Sequence, residues 1–256
     1  MSEGLFYNVT FSVFLLLPFI VFLGLVFGKV KAPYGRYTTP AWGPIIPAKL
    51  GWIIMEAPSS ILFLVFFLLA PSLTPGQIAL FFIWQFHYFY RSFIYPFLSQ
   101  HSKGMAVVLM FSALIFQVFN TYFQARWIYK FAPPDFYGDG YLTSWQFILG
   151  LAIFLLGTFI NRQSDTILRH LRSSSDNKSY KIPYGGLFRL VSCPNYLGEI
   201  IIWLGWAIML KSWVGFAFFL WTVSNLVPRA MMNHQWYLER FPNYPKDRKV
   251  LIPHIF

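Results

Sequence analysis

Residues 50–70 read LGWIIMEAPSSILFLVFFLLA, an apolar run interrupted by one carboxylate, Glu56. Its length is close to the ~20 residues that carry a helix across a hydrocarbon core. An acid in such a run is costly to bury, so it is expected to face a cavity or a partner rather than lipid. The run therefore points to a bilayer as solvent and to a candidate working residue inside it.

Further apolar segments fall at 5–28, 76–98, 104–124, 143–161, 196–210 and 213–232. Together they predict an all-α integral membrane protein of seven transmembrane helices, folded as a single domain over residues 1–256. The junction of the sixth and seventh, at Lys211-Ser212, is the least marked boundary. Composition agrees: the chain is 57% hydrophobic and 11% charged, with mean hydropathy +0.52, whereas soluble domains carry about a quarter charged residues. The first run has no basic stretch before it, Glu3 being its only charge, so it is expected to stay as a helix rather than be cleaved.

The net charge is +11. In a soluble chain that would suggest nucleic acid, but here the basic residues lie in loops between apolar runs. Membrane lipids are the expected partners, and nucleic acid is not. With the loop containing Lys29, Lys31, Arg36 and Lys49 placed inside, alternation puts 16 basic residues inside and 3 outside (Arg126, Lys130, Lys211), with Arg91 within a span. The positive-inside rule then sets the N-terminus outside and the C-terminus in the cytoplasm. Cys193 is the only cysteine, so no intramolecular disulfide forms, and the five histidines lack metal-ligand spacing.

Of the nine acids, only Glu56 and Glu199 fall well inside apolar segments. A structural hydrogen bond between helices is the plain alternative to a functional role for each. From the turn near Thr74, Glu56 and Tyr88 lie roughly 27 and 21 Å along neighbouring helices, at similar depth. A carboxyl and a phenol so placed could grip one substrate oxygen, with His87 an alternative to Tyr88. Three polar stripes follow at helical spacing: Asn161, Asp165, Arg169 and Arg172; Asn195 and Glu199; Arg229, Asn233 and Tyr237, with Trp236 alongside. Each alone suits a solvated helix end. Together with Tyr180 and Lys181 they suit a large polar ligand, cations meeting phosphate, amides and Asp meeting amide or ribose, aromatic rings stacking. No glycine-rich nucleotide loop is present; Gly185-Gly186 alone is a weak signal.

The stretches NRQSDTILRHLR (161–172), YKIPYGGLF (180–188), NYLGE (195–199) and the tail YPKDRKVLIPHIF resemble the steroid 5-alpha-reductase family, as do Glu56-Ala57-Pro58-Ser59 and His87-Tyr88-Phe89. The resemblance implies NADPH-dependent reduction of the double bond of a 3-oxo-Δ4-steroid by a seven-helix protein whose cofactor enters from the cytoplasmic side. It implies Glu56 and Tyr88 as the catalytic pair holding the ketone. It places cofactor contacts at Asn161, Asp165, Arg172, Tyr180, Asn195, Glu199, Arg229 and Tyr237, and also at Tyr34, Arg36 and Tyr95, to which the loop and the last polar stripe add Lys181 and Trp236. Residues 1–124 would then bear the substrate side and 143–256 most of the NADPH site. No metal is implied, and the protein is expected to be monomeric. Departures from the animal members are Met55 before Glu56, where they have Gln, Asn233 at a His position, and Ile202 for a second acid. They suggest a distant, bacterial member, in the inner membrane; a eukaryotic one would lie in the endoplasmic reticulum.

The chemistry fits such residues. Conjugate reduction puts negative charge on the ketone oxygen, which Tyr88 and a neutral Glu56 could stabilise as donors. A reductase of another lipid enone, enoyl-thioester or polyprenol shares that chemistry. An isoprenylcysteine-type methyltransferase would need S-adenosylmethionine and no enone clamp. The non-enzymatic alternatives are a seven-helix receptor or retinal protein, retinal needing a lysine in the last span that 213–232 lacks, and a transporter, which usually shows repeats not found in this sequence. The topology is tested by a cysteine placed at Ser174. In sealed right-side-out vesicles an impermeant thiol reagent should leave it unlabelled, and ready labelling would reverse the orientation.

Overall fold

The computed structural model of the protein describes residues 2–27, 37–99, 104–171 and 180–256, and the backbone alone at 172–173. Its helices are α1 (Glu3–Phe27), α2 (Ala48–Leu68), α3 (Pro75–Phe89), α4 (Tyr95–Leu98), α5 (Val107–Arg126), α6 (Trp145–Ser173), α7 (Pro194–Leu210) and α8 (Trp213–Arg240). Among the described residues, five helical stretches are long and apolar enough to cross a membrane: Glu3–Phe27, Ala48–Leu68, Val107–Phe131, Trp145–Leu171 and Trp213–Arg240. α7 is apolar but shorter. The described residues are therefore all-α apart from one short strand pair, and the protein is of membrane type. The chain separates into two compact units, Met1–Ala32 with Trp145–Phe256, and Pro33–Ser144.

In the first unit α6 and α7 pack backbone to backbone through glycines spaced seven apart. A Cβ on Gly157 would lie 2.6 Å from Ile202 N and 2.7 Å from Gly198 O. One on Gly198 would lie 2.5 Å from Asn161 N, and one on Gly205 2.5 Å from Phe154 N. These are main-chain atoms that cannot swing aside, so only glycine permits the approach, as at small-residue seams between membrane helices. α1 packs on α8 by a different device. Pro18 has no N–H for the Phe14 carbonyl four residues earlier, and the Trp221 indole donates to that carbonyl at 2.9 Å.

In the second unit, Ile45–Ile46 pairs antiparallel with Met105–Ala106 and brings the starts of α2 and α5 together. Thr74 caps α3 through a reciprocal box with Gln77. The segment 76–98, expected as one helix, is not one. α3 ends at Phe89, a π-helical turn spans Tyr90–Ile94, and α4 follows. The cause is Pro96. Tyr95 N–H bonds back to Tyr90 O, Pro96 has no N–H to give, and the stranded Arg91 carbonyl accepts from Trp52 Nε1 at 3.1 Å. The same pattern recurs after α5, in the π turn Trp127–Phe131. Ala132 N–H reaches Trp127 O at 2.8 Å, Pro133 offers nothing, and Ile128 O accepts from Gln77 Nε2 at 2.7 Å.

Gly157→Val should force α6 and α7 apart. A loss of ~1–3 kcal/mol is the usual cost of overpacking, read as a lower unfolding temperature in detergent. Parental stability would show that the glycine seam is not needed.

Candidate functional site

In the second unit, the strand pair sets α2 beside α5 so that Glu56 meets a residue not singled out from the sequence, Gln117. Gln117 Nε2 donates to Glu56 Oε2 at 2.8 Å, and Tyr88 O–H donates to Gln117 Oε1 at 3.3 Å. Glu56, Gln117 and Tyr88 are 7%, 8% and 2% exposed, so one amide joins the carboxyl and the phenol out of solvent. Arg91 Nε lies 3.7 Å from Glu56 Oε1, and its guanidinium rests over the Trp52 and Tyr95 rings at 4.6 and 5.0 Å. The π turn aims Arg91 inward, in keeping with the association of such turns with functional sites. The Tyr88 ring packs on Trp84 at 4.6 Å and edge-on to His87 at 5.1 Å. Met55 turns away into a cluster with Met105 and Met110, so the amide beside Glu56 comes from α5 rather than from its own helix.

In the first unit, the glycine seam brings two of the three sequence stripes together. Asn161 Nδ2 donates to Asn195 O at 2.9 Å and to Glu199 Oε2 at 3.1 Å. Trp203 Nε1 donates to Glu199 Oε1 at 3.1 Å, and Asn195 Nδ2 to Asp165 Oδ1 at 3.5 Å. The third stripe joins through Tyr196, whose hydroxyl accepts from Arg229 Nη2 at 3.2 Å and Asn233 Nδ2 at 3.4 Å. These groups are half-buried, apart from Trp203, which is buried. Trp236 meets the half-exposed Tyr180 ring at 5.2 Å. Tyr237 is buried and stacks on Tyr244 at 5.1 Å, while Lys181 is exposed. Tyr34 and Arg36 lie outside the described residues, as does the side chain of Arg172. Sequence reasoning missed Tyr196 and Trp203, and also the pairing of Ser192 with His234 Nδ1 at 2.6 Å and Tyr244 at 2.7 Å.

Apolar helices that enclose hydrogen-bonded acids, a buried phenol and a half-buried amide-rich cluster define a membrane protein built around polar sites. The family model described as 3-oxo-5-alpha-steroid 4-dehydrogenase matches residues 103–256. The chain is 45% identical over 235 residues to steroid 5-alpha-reductase DET2 of Gossypium hirsutum, covering 89% of each chain. It is 40% identical over 262 residues to the Solanum lycopersicum protein of the same name, covering all of this chain and 98% of that one. With human 3-oxo-5-alpha-steroid 4-dehydrogenase 1 it shares 39% identity over 234 residues, 89% of this chain and 88% of the human one. The chain belongs to the steroid 5-alpha-reductase family of oxidoreductases.

Removing Arg91 should strand the Glu56 carboxylate. Breaking a fully buried ion pair typically costs about 3–5 kcal/mol, and the loss here should be smaller because the Arg91 side chain is 22% exposed. Arg91→Met should therefore unfold at a lower temperature than the parent, with much of the loss restored in Arg91→Met combined with Glu56→Gln. Additive losses in that cycle would show that the two side chains are uncoupled.

Proposed function

We propose that the protein reduces the Δ4 carbon–carbon double bond of a 3-oxo-steroid to the 5-alpha product, with NADPH as the hydride donor. The observation that carries this reading is the shared amide of Gln117, which holds Glu56 and Tyr88 together in a dry setting. Hydride arriving at the β-carbon of an enone leaves negative charge on the ketone oxygen, and donors fixed in advance stabilise that charge most in the transition state. Tyr88 donates its phenolic O–H to the ketone, exchanging a long bond to Gln117 for a charge-assisted one. Glu56, ionised against Arg91 in the free protein, takes up a proton as the ketone docks and donates its O–H from the other side of the grip, and the enolate α-carbon then takes a proton from the medium. When bound, the nicotinamide supplies the hydride.

The half-buried donors and acceptors of the first unit fit a dinucleotide. Asn161, Asp165, Asn195 and Glu199 suit amide and ribose groups. Arg229, Lys181 and Arg172 would meet phosphates, and Tyr180, Trp236 and Tyr237 would offer rings and hydroxyls. We further propose seven spans in one membrane domain, N-terminus outside and C-terminus in the cytoplasm, acting as a monomer in the bacterial inner membrane or the endoplasmic reticulum. Reduction of another lipid enone or enoyl-thioester is the alternative, and a substrate panel separates them.

The test pairs cofactor affinity with single-turnover reduction of a 3-oxo-Δ4-steroid. Tyr88→Phe should slow turnover roughly a hundred- to thousandfold, the usual loss for one such donor, with NADPH affinity unchanged and preferred over NADH. Glu56→Gln should be milder, since an amide can also donate, and Glu199→Gln should weaken NADPH binding. Parental turnover by Tyr88→Phe would remove the ketone grip.

A further inference from the structure

Within the second unit, Ser59, Asn120 and Thr121 are each 0% exposed. Ser59 Oγ, Asn120 Nδ2 and Thr121 Oγ1 have no hydrogen-bond partner among the described residues. An unpaired buried polar atom costs ~1–3 kcal/mol, and native proteins hold few of them. The two hydroxyls also depart from the habit of this chain. Thr10, Ser112, Thr158, Ser164 and Thr222 all return theirs to the carbonyl four residues back, the usual resort of a helical Ser or Thr. Ser59 and Thr121 forgo that bond.

Helical register places the three together. α2 and α5 run in the same direction: Glu56 meets Gln117, and further along Phe63 and Phe67 both meet Tyr129. Ser59 and Asn120, each three residues beyond the Glu56–Gln117 bond, stand ~4.5 Å further along. α3 runs the opposite way, and Trp84, four residues before Tyr88, donates Nε1 to Ser59 O at 2.7 Å. All three helices therefore put this layer one turn from the Glu56–Gln117–Tyr88 layer. Phe63, four residues beyond Ser59 on α2, stacks on Trp84 at 4.7 Å. On α5, Gln117, Asn120, Thr121 and Gln124 form one stripe, and Gln124 Nε2 donates to Asn120 Oδ1 at 3.3 Å.

We propose that Ser59, Asn120 and Thr121 bind ordered water directly behind the Glu56–Gln117–Tyr88 group, and that Asn120 and Thr121 are positioning residues acting through Gln117. A buried water needs two to four polar partners, and these side chains supply three. Gln117 spends one N–H on Glu56 and one lone pair on Tyr88, and retains one of each. Water on those fixes the amide plane, and with it the carboxyl and the phenol. The kinetic consequence rests on the proposed reduction; the water site does not.

Radiolytic labelling of the purified full-length protein, read by mass spectrometry, tests the site without substrate or cofactor. Hydroxyl radicals form from water, so Trp84, itself 0% exposed, should be oxidised, while Trp206, also 0% exposed, should not. Thr121→Val keeps the side-chain shape and should cut the Trp84 label about threefold or more as the water loses a partner. The variant should also unfold at a lower temperature, whereas deleting a hydroxyl that was dry and unpaired would raise it. In turnover, Thr121→Val should lower the single-turnover rate roughly tenfold at unchanged substrate KM, with Thr121→Ser restoring it. An unlabelled Trp84, or a Thr121→Val variant more stable than the parent, overturns the water site. Lost label and stability with parental turnover overturns the positioning role alone. If neither parent nor variant reduces any enone while the labelling holds, the proposed reaction fails and the site stands.

Discussion

Polar atoms carried into an apolar solvent have to be answered by other atoms of the chain or by water held within it, and that constraint organises both units. In the first, Asn161 spans from α6 to both the backbone and the carboxyl of α7, and Trp203 takes the other oxygen of Glu199. In the second, two proline-stranded carbonyls, Arg91 O and Ile128 O, are each met by a side chain from another helix. Pairing of this kind decides which helices can be neighbours, because an unmatched carbonyl in hydrocarbon costs more than a displaced methyl group. The polar residues are therefore part of the scaffold even where they also suit a ligand.

Much of this was legible in the chain. The apolar runs gave the helices to within a few residues at most ends, and spacing alone put Asn161 with Asp165 and Asn195 with Glu199. What spacing could not give was which helix faces which. Gln117 is one amide among several in a helix whose partner, α2, lies some sixty residues earlier. Arg91 was visible only as a charge within a span, because period-3.6 reasoning treats 76–98 as one straight helix. The signal that would have corrected it was Pro96, and Pro133 would have done the same for the end of α5. The glycine seam was likewise written at 150, 157, 198 and 205, but spacing of seven on two helices acquires meaning only when the two are known to touch.

Membership of the steroid 5-alpha-reductase family sharpens one of these departures. The animal pattern expected an amide immediately before Glu56, and this chain has Met55, which is buried among other methionines. An amide nevertheless reaches the carboxyl, from α5. A single residue compared column by column would register a missing amide, whereas in this chain an amide reaches the carboxyl from a different element.

The bond between Trp221 and the Phe14 carbonyl joins residues 207 positions apart. During synthesis at about 5–20 residues per second, roughly 10–40 s separate the two. For that interval α1 is in the bilayer with one carbonyl that Pro18 has released and nothing yet made to receive it. Its other side chains are nearly all apolar, so it can wait as an independent span, and the whole of the second unit is translated in the meantime. α8, translated long after α1, is the helix that packs against it within the first unit. Truncation or slow insertion near Trp221 would accordingly be felt at the opposite end of the chain, as an α1 left unclaimed and open to membrane quality control.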